Sequence, residues 1–215
     1  MKIVIAIVII VLLLVGGAIY WIGSPKGPSL EQVAHLQTPR LNTLPAQKVL
    51  LVTAKGNPNK VGKQAFGLLM RTYFQLPDVP KFGPGFKAPR ARWPISADVP
   101  ADEWIGHYAM PVPESITELP EGSHDSTLQV ELTTWEYGEV AEILHVGPYD
   151  KEKPTVEKLT EFIKQNQRQT VGDHEEEYLK GPGMFFSGNP DEYLTIIRYR
   201  VEKVEGSVST SDDPS

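Results

Sequence analysis

The pattern of hydrophobic and polar positions between residues 45 and 204 occurs twice. The segments KVLLVTAKGNPNKVGKQAFGLLMRTYF and EVAEILHVGPYDKEKPTVEKLTEFIKQ each contain a short apolar run, a glycine near a proline, and apolar residues at helical spacing. Later, PADEWIGHYAMPV corresponds to NPDEYLTIIRYRV, with Trp104 in the place of Tyr193. Each copy therefore predicts a strand, a helix and two further strands.

Two such modules, at about 45–115 and 135–204, predict an α+β fold. We expect duplicated β-α-β-β modules to form one antiparallel sheet with both helices on one face. An antiparallel sheet can leave its other face open to solvent. A single domain over 45–204 is therefore predicted.

Strand alternation assigns side chains to the two faces of this sheet. Ala141 and Ile143 alternate with Glu142, and a carboxylate buried under helices would be costly. We therefore place Glu142 on the open face, away from the helices. The same alternation puts Arg198 and His107 on that face.

The N-terminus carries no charged residue between Ile3 and Ile22, which is about the length needed to cross a ~30 Å hydrocarbon core. Tyr20 and Trp21 stand at its far end, where interfacial aromatic residues occur in membrane proteins. A cleaved signal peptide is the alternative, but no small-residue cleavage site follows the run. The sequence therefore predicts a single transmembrane anchor over residues 1–23. Lys2 favours a cytoplasmic N-terminus and an extracytoplasmic domain.

Two segments outside the modules have the composition of connecting or unstructured chain. Residues 24–44 are rich in proline, glycine and polar side chains, which predicts a linker. Residues 205–215 are small, polar and acidic, which predicts a disordered tail.

Composition excludes several classes of function. The net charge is −6, and no cluster of Lys and Arg suits a nucleic-acid partner. The chain has no cysteine, so disulfides and thiolate chemistry are excluded. Its 5 histidines lack the paired spacing of a metal site, so we expect neither a metal nor a cofactor.

The second module resembles the GyrI-like domain, which is also the effector-binding domain of AraC-type and MerR-type regulators. The resemblance is carried by VAEILHVGPYD, KLTEFI, EEEYLKGPG and LTIIRYRV. It implies a duplicated strand-helix-strand-strand fold that holds a small molecule, often cationic or aromatic, around an acidic residue. Some relatives resemble hydrolases of strained, cyclopropane-bearing metabolites. The family's acidic position in the last strand falls at Ile196 here.

These observations predict a membrane-anchored module that binds a small hydrophobic, aromatic or cationic molecule and has no DNA-binding domain. Glu142 is the expected polar anchor, so that Glu142→Gln should abolish ligand binding at unchanged stability and Glu142→Leu should stabilise the fold. The predicted ligand-binding residues are Glu142, His107, Trp104, Tyr149, Arg198, Glu177 and Phe186.

Other functions remain open. A hydrolase would use Glu142 or Glu177 as a general base. A membrane scaffold or receptor would bind a protein with the same domain. Haem binding ranks last because the sequence shows no clear axial ligand.

The predicted anchor is tested by extraction. Full-length protein should stay with membranes during an alkaline carbonate wash, because residues 3–22 carry no charge. A truncated protein starting near Ser24 should be released into the wash. Release of the full-length protein would instead favour a cleaved signal.

Overall fold

The computed structural model describes residues 2–23, 26–81, 83, 85–94, 99–183 and 186–204. Within these residues the α-helices are α1 Lys2–Gly23, α2 Leu30–Val33, α3 Pro58–Gln75 and α4 Lys153–Gln165. The strands in the same residues are β1 Arg40–Leu44, β2 Gln47–Lys55, β3 Arg90–Trp93, β4 Ile105–Pro111, β5 Glu131–Trp135, β6 Gly138–Val146, β7 Arg168–Thr170, β8 His174–Lys180 and β9 Leu194–Lys203.

The strands form one antiparallel sheet in the order β1-β6-β9-β8-β3-β4-β2-β5, and β7 also pairs with β9. The first module contributes β2, α3, β3 and β4, and the second contributes β6, α4, β8 and β9. Each module therefore has the predicted order of strand, helix, strand and strand. The two modules meet at the pairing of β3 with β8.

The duplication extends to single hydrogen bonds. A glycine with positive φ ends the first strand of each module, at Gly56 (φ 133°) and Gly147 (φ 129°). The Gly56 N–H donates to the carbonyl of Trp104 at 2.9 Å, and the Gly147 N–H donates to the carbonyl of Tyr193 at 3.0 Å. The turn Gly147-Pro148-Tyr149, named here the Gly-Pro-Tyr junction, is thus a structural element that leads from β6 into α4.

The sheet curls because the strand that precedes each module in the chain pairs with the other module. β1 pairs with β6 and β5 pairs with β2, although each is followed in the chain by a different strand. Residues 45–46 alone connect β1 at one end of the strand order to β2 near the other. Leu44, Val49 and Val140 belong to one apolar cluster that joins these ends.

The prediction that residues 24–44 are a linker is wrong for the last five of them. Residues 40–44 form strand β1, which is paired with β6 along its length. Leu36 is buried against Leu144 and Leu194. The ordered domain thus begins before residue 45, because this segment supplies a strand that the second module needs.

Both helices cover one side of the sheet, named here the helix face. Under α3 lie Leu50, Val52 and Met110. Under α4 lie Ile143 and Ile197. Strand alternation predicted this side for Ile143, and the single antiparallel sheet of an α+β fold is confirmed.

The predicted transmembrane anchor has no support from the structure. Within the described residues, none of the helices is both long enough and apolar enough to cross a membrane. The predicted disordered tail, 205–215, lies outside the described residues.

The opposite side, named here the inner face, is closed rather than open. Glu142 is only 2% exposed and Arg198 only 4% exposed. The prediction of an open face is wrong, because the curl of the sheet encloses the side chains that point away from the helices. Glu142 does lie on that face, as strand alternation predicted.

A chain of ion pairs fills the inner face. Arg198 donates to Glu142 at 3.0 Å, to Glu175 at 2.7 Å and to Glu177 at 3.0 Å. Arg40 donates to the far side of Glu142 at 2.7 Å, and Arg92 donates to Glu175 at 2.7 Å. Glu142, Glu175 and Glu177 thus each have a guanidinium partner, which offsets the cost of burying their charges.

Aromatic rings complete the inner face. The Arg92 guanidinium lies 4.0 Å from the ring centroid of Trp135 and 4.9 Å from that of Tyr137. The Tyr137 hydroxyl donates to Glu175 at 2.9 Å and accepts from Arg90 at 2.6 Å. Stacked cations and a bridging phenol therefore connect β5 to β3 and β8.

Glu142 is thus a structural residue, and its loss should destabilise the domain. Burial would raise the pKa of Glu142, but Arg198, Arg40 and Asn42 outweigh it and lower the pKa from its ordinary value of 4.5. Glu142→Gln should cost about 1.5–3 kcal/mol of unfolding free energy in urea, because it removes one of the three carboxylates that pair with the buried Arg198. Glu192→Gln, which breaks an exposed pair with Lys180, is the matched control and should unfold like wild type.

The same variant has a defined pH signature. Since the folded state lowers the pKa of Glu142, the carboxylate stabilises the fold above pH 4.5, and this stability is lost as the pH falls through the lower folded value. The difference between wild type and Glu142→Gln should therefore shrink below pH 4.5. A difference that stays constant down to pH 3 would contradict the ion-pair assignment.

Candidate functional site

The residues predicted to form one cleft lie on both faces of the sheet. Glu142, Arg198 and Glu177 belong to the inner-face ion pairs. His107 also faces inward, opposite Arg92 on the neighbouring strand. A cavity on this face, lined by Arg92, Tyr137 and Arg198 among others, has a volume of about 220 Å³, below the ~300–1,000 Å³ of typical small-molecule sites.

The predicted aromatic residues lie elsewhere. Tyr149 packs against Tyr178 and Tyr193, with ring centroids 5.5 Å away in both cases. Trp104 packs against Trp93 at 5.7 Å. Phe186 is 41% exposed and contacts Tyr20 at the end of α1, at 5.5 Å. The structure therefore separates these rings from Glu142.

Aromatic side chains gather instead on the helix face, in a group that extends from Phe66 of α3 to Tyr149, which precedes α4. Phe66 of α3 contacts Tyr108 at 5.1 Å and Tyr178 at 5.6 Å, both edge to face. Trp93 contacts Tyr108 at 5.6 Å in the same way. We call this group the aromatic box, and its members are Phe66, Trp93, Trp104, Tyr108, Tyr149, Tyr178 and Tyr193.

One carboxylate belongs to the box. Glu176 alternates with the inward-facing Glu175 and Glu177 and so points to the helix face. Its backbone lies opposite Ala91 where β3 and β8 pair. Ala91 and Glu176 also occupy equivalent positions in the two modules, since they pair with Tyr108 and Ile197 respectively. Glu176 therefore lies at the pseudo-twofold centre of the domain, opposite a small side chain.

The Trp93 indole holds this carboxylate, and His174 lies close to it. The Trp93 indole N–H donates to Oε1 of Glu176 at 2.7 Å. Nε2 of His174 lies 3.4 Å from the same oxygen and 3.7 Å from Oε1 of Glu152, at the start of α4. Glu176 is only 7% exposed, so its charge lies in a largely desolvated setting. Such a charge interacts strongly with any cation that reaches it.

The two titratable neighbours of Glu176 respond to its charge. Burial and the charge of Glu176 raise the pKa of Glu152 to about 7, against the opposing effect of His174. Burial would lower the pKa of His174, but the carboxylates of Glu176 and Glu152 outweigh it and raise the pKa. The charge of Glu176 therefore makes both neighbours hold a proton more readily than they would in water.

The phenols of the box stay neutral. Burial and the charge of Glu176 raise the pKa of Tyr108 to about 12. Burial also raises the pKa of Tyr149 and Tyr178 above the ordinary value of 10.0. The box thus presents apolar ring faces and neutral hydroxyl groups around one carboxylate. The Tyr108 hydroxyl is buried without a hydrogen-bond partner among the described residues.

The fold and the site agree with a known family. Residues 37–201 match the model of the GyrI-like small-molecule-binding domain. This chain belongs to the GyrI-like family. The GyrI-like match begins close to β1, which agrees with a domain that starts before residue 45.

Solved structures share this GyrI-like fold at low sequence identity. An uncharacterised conserved protein from Listeria innocua is 20% identical, with a TM-score of 0.62 over 81% of this chain and 99% of its own. A hydrolase from Listeria innocua is also 20% identical, with a TM-score of 0.60 over the same shares. EcmrR in a complex with DNA is 15% identical, with a TM-score of 0.58 over 81% of this chain and 63% of its own. Among curated proteins, none matches.

Sequence reasoning found part of the aromatic box and missed its carboxylate. Trp104 and Tyr149 were predicted to line the ligand, and both lie in the box. Glu177 was selected from the acidic run, whereas Glu176 is the residue among the rings. Strand alternation could have identified Glu176, because adjacent residues of a strand point to opposite faces and Glu177 points inward.

The box depends on a glycine beneath its rings. A Cβ on Gly106 would lie 2.7 Å from the Tyr108 ring and 2.9 Å from the Trp93 ring. Gly106→Ala should therefore cost about 1–3 kcal/mol of unfolding free energy by overpacking. Gly67→Ala is the matched control, because Gly67 has nothing within 4 Å of its added Cβ and lies on an exposed face of α3. It should stabilise the helix by about 0.5–1 kcal/mol, and equal effects of the two changes in thermal unfolding would contradict this packing.

Proposed function

We propose that the aromatic box binds a small, flat organic cation, with Glu176 as its charge partner. The observation that carries this proposal is a largely buried carboxylate held by Trp93 inside a group of neutral aromatic side chains. Membership of a small-molecule-binding family supports a small molecule as the ligand.

Charge and ring geometry together define the ligand class. A cation placed over an aromatic face gains about 0.5–2 kcal/mol, and more when the contact is desolvated. A neutral flat molecule would gain the stacking but not the attraction to Glu176. A permanent cation with aromatic rings fits both features of the box.

Access to Glu176 requires the rings to separate. Trp104 and Tyr149 are half-buried at the margin of the box, and the rings contact one another. A ligand would therefore replace ring–ring contacts with ring–ligand contacts. We expect binding to change the tryptophan fluorescence of the chain, because Trp93 donates to Glu176.

Hydrolysis is a second candidate function. The buried Glu176 carboxylate is close enough to raise the pKa of Tyr108, whose hydroxyl has no hydrogen-bond partner within the described part of the chain. A desolvated carboxylate can act as a general base, and a neutral phenol can donate to a developing oxyanion. Two Listeria innocua proteins of similar fold are hydrolases. This alternative uses Glu176 in place of the Glu142 or Glu177 predicted from sequence.

Attachment to a membrane, with the domain outside the cytoplasm, stays a prediction from the sequence. It derives from the charge-free residues 3–22 and from Lys2. The carbonate extraction described above is its test. The proposal for the aromatic box does not depend on that outcome.

Two dyes test the proposal. Full-length protein should bind the cationic dye rhodamine 6G, and Glu176→Gln should weaken this binding at least about tenfold, because it removes a desolvated charge partner. Binding of the neutral dye Nile red should change much less. Titrations with chelator present, followed by fluorescence polarisation, measure both affinities.

The control is Glu131→Gln, an exposed carboxylate on β5. It should bind both dyes like wild type. Unchanged rhodamine 6G binding in Glu176→Gln would refute the role of this carboxylate. Turnover of 4-methylumbelliferyl acetate by wild type that disappears in Glu176→Gln would favour the hydrolase instead.

A further inference from the structure

We propose that Glu152, His174 and Glu176 bind a divalent transition-metal ion, with Zn²⁺ as the best match to the donors. One ligand atom of each residue lies within 4.8 Å of the others. The inference goes beyond dye binding, although it rests on the same Glu176 and places an ion at one end of the aromatic box.

The distances suit a shared ion. Nε2 of His174 lies 3.4 Å from Oε1 of Glu176 and 3.7 Å from Oε1 of Glu152. Ligands bound at 2.0–2.1 Å in a tetrahedron are about 3.3 Å apart. Nε2 of His174 therefore already stands close to this spacing from both carboxylate oxygens, and one ligand atom of each residue lies within 4.8 Å of the others. A fourth corner is left for water or a ligand, as in zinc sites that keep an open position.

Two of the polar atoms involved lack hydrogen bonds. Nε2 of His174 and Oε2 of Glu152 are sealed from solvent and have no hydrogen-bond partner in the described part of the chain. Buried polar atoms are nearly always paired, so two such atoms in one cluster require an explanation. A metal ion between them would satisfy the nitrogen directly and would offset the repulsion between the two carboxylates.

The outer contacts orient the ligands as metal sites require. Nδ1 of His174 is 2.7 Å from the Tyr199 hydroxyl, so the ring is held with Nε2 toward the carboxylates. The Trp93 indole fixes Oε1 of Glu176 at 2.7 Å and leaves that oxygen a second lone pair. Histidine ligands usually have such a partner at their other nitrogen, and ligating carboxylates are themselves hydrogen-bonded.

The three ligands come from two separate elements. His174 and Glu176 are two residues apart on β8 and so share one side of the strand. Glu152 precedes α4, next to the Gly-Pro-Tyr junction. An ion here would tie the start of α4 to the centre of the sheet. One histidine with two carboxylates suits Zn²⁺ or Mn²⁺ better than it suits Cu⁺, which prefers sulfur ligands.

Metal titration of the full-length protein tests the site. After treatment with EDTA and its removal, Zn²⁺ should bind with a stoichiometry of one per chain and raise the melting temperature. Co²⁺ should show the visible absorption of a four-coordinate site. His174→Gln should abolish this absorption, and Tyr199→Phe should weaken Zn²⁺ binding about 10–100-fold, as loss of an orienting partner does.

The matched control is His124→Gln, which removes an exposed histidine far along the chain from these ligands. It should bind Zn²⁺ and Co²⁺ like wild type. Absence of a one-to-one zinc complex in wild type would overturn the proposal, as would binding that survives in His174→Gln. The zinc stoichiometry is measured on the wild-type protein. The proposal can therefore be refuted even if a variant fails to fold.

The two proposals fail separately. Zinc and cobalt titrations contain no dye, and the dye titrations contain chelator. A protein that binds rhodamine 6G but not Zn²⁺ supports the aromatic box alone. A protein that binds Zn²⁺ through His174 but ignores both dyes supports the metal site alone.

Discussion

The pairing of β3 with β8 is the contact on which the rest of the structure depends. It joins the two modules, and its register sets Arg90 and Arg92 opposite Glu177 and Glu175. Between them, Ala91 faces Glu176. Alternation along the two strands then sends the first four side chains inward and Glu176 to the helix face. One register therefore defines both the buried ion pairs and the candidate site.

The inner-face charges also oppose other registers. A slip of one residue on β8 would turn Glu175 and Glu177 under the helices and send Glu176 inward. The misplaced carboxylates would lose their guanidinium partners. Glu175, for example, accepts from both Arg198 and Arg92 at 2.7 Å. Buried charges without partners are costly, so the slipped pairing is disfavoured. A core of interchangeable aliphatic residues would discriminate less, because it would tolerate either placement.

Much of the fold could be predicted from local patterns. The repeat predicted two modules, and alternation placed Ile143 under a helix and Glu142 on the other side. The curl could not be predicted in this way, since it follows from the exchange of β1 and β5 between modules. In a flat sheet Glu142 would face solvent, where its carboxylate would be free to bind a ligand. The buried partners Arg40 and Arg198 are separated from it by long stretches of chain.

The site was harder to predict than the fold, for a related reason. Strand alternation places Glu176 and Glu177 on opposite sides of β8. Only the location of both helices shows that the aromatic side chains gather on the side of Glu176. Glu152 reaches the same place from the start of α4, so the spacing of ligands along the sequence gives no sign of the cluster.

Glu176 belongs both to the aromatic box and to the proposed metal site, which has a chemical consequence. A divalent ion bound by Glu176 would cancel the negative charge that attracts an organic cation, and its open position would favour a neutral or anionic oxygen donor instead. Metal and organic cation would therefore compete for one carboxylate. Such competition requires the two affinities to change reciprocally by the same factor. With an ion in the three-residue cluster, the aromatic box would therefore take a different class of ligand than it would without one.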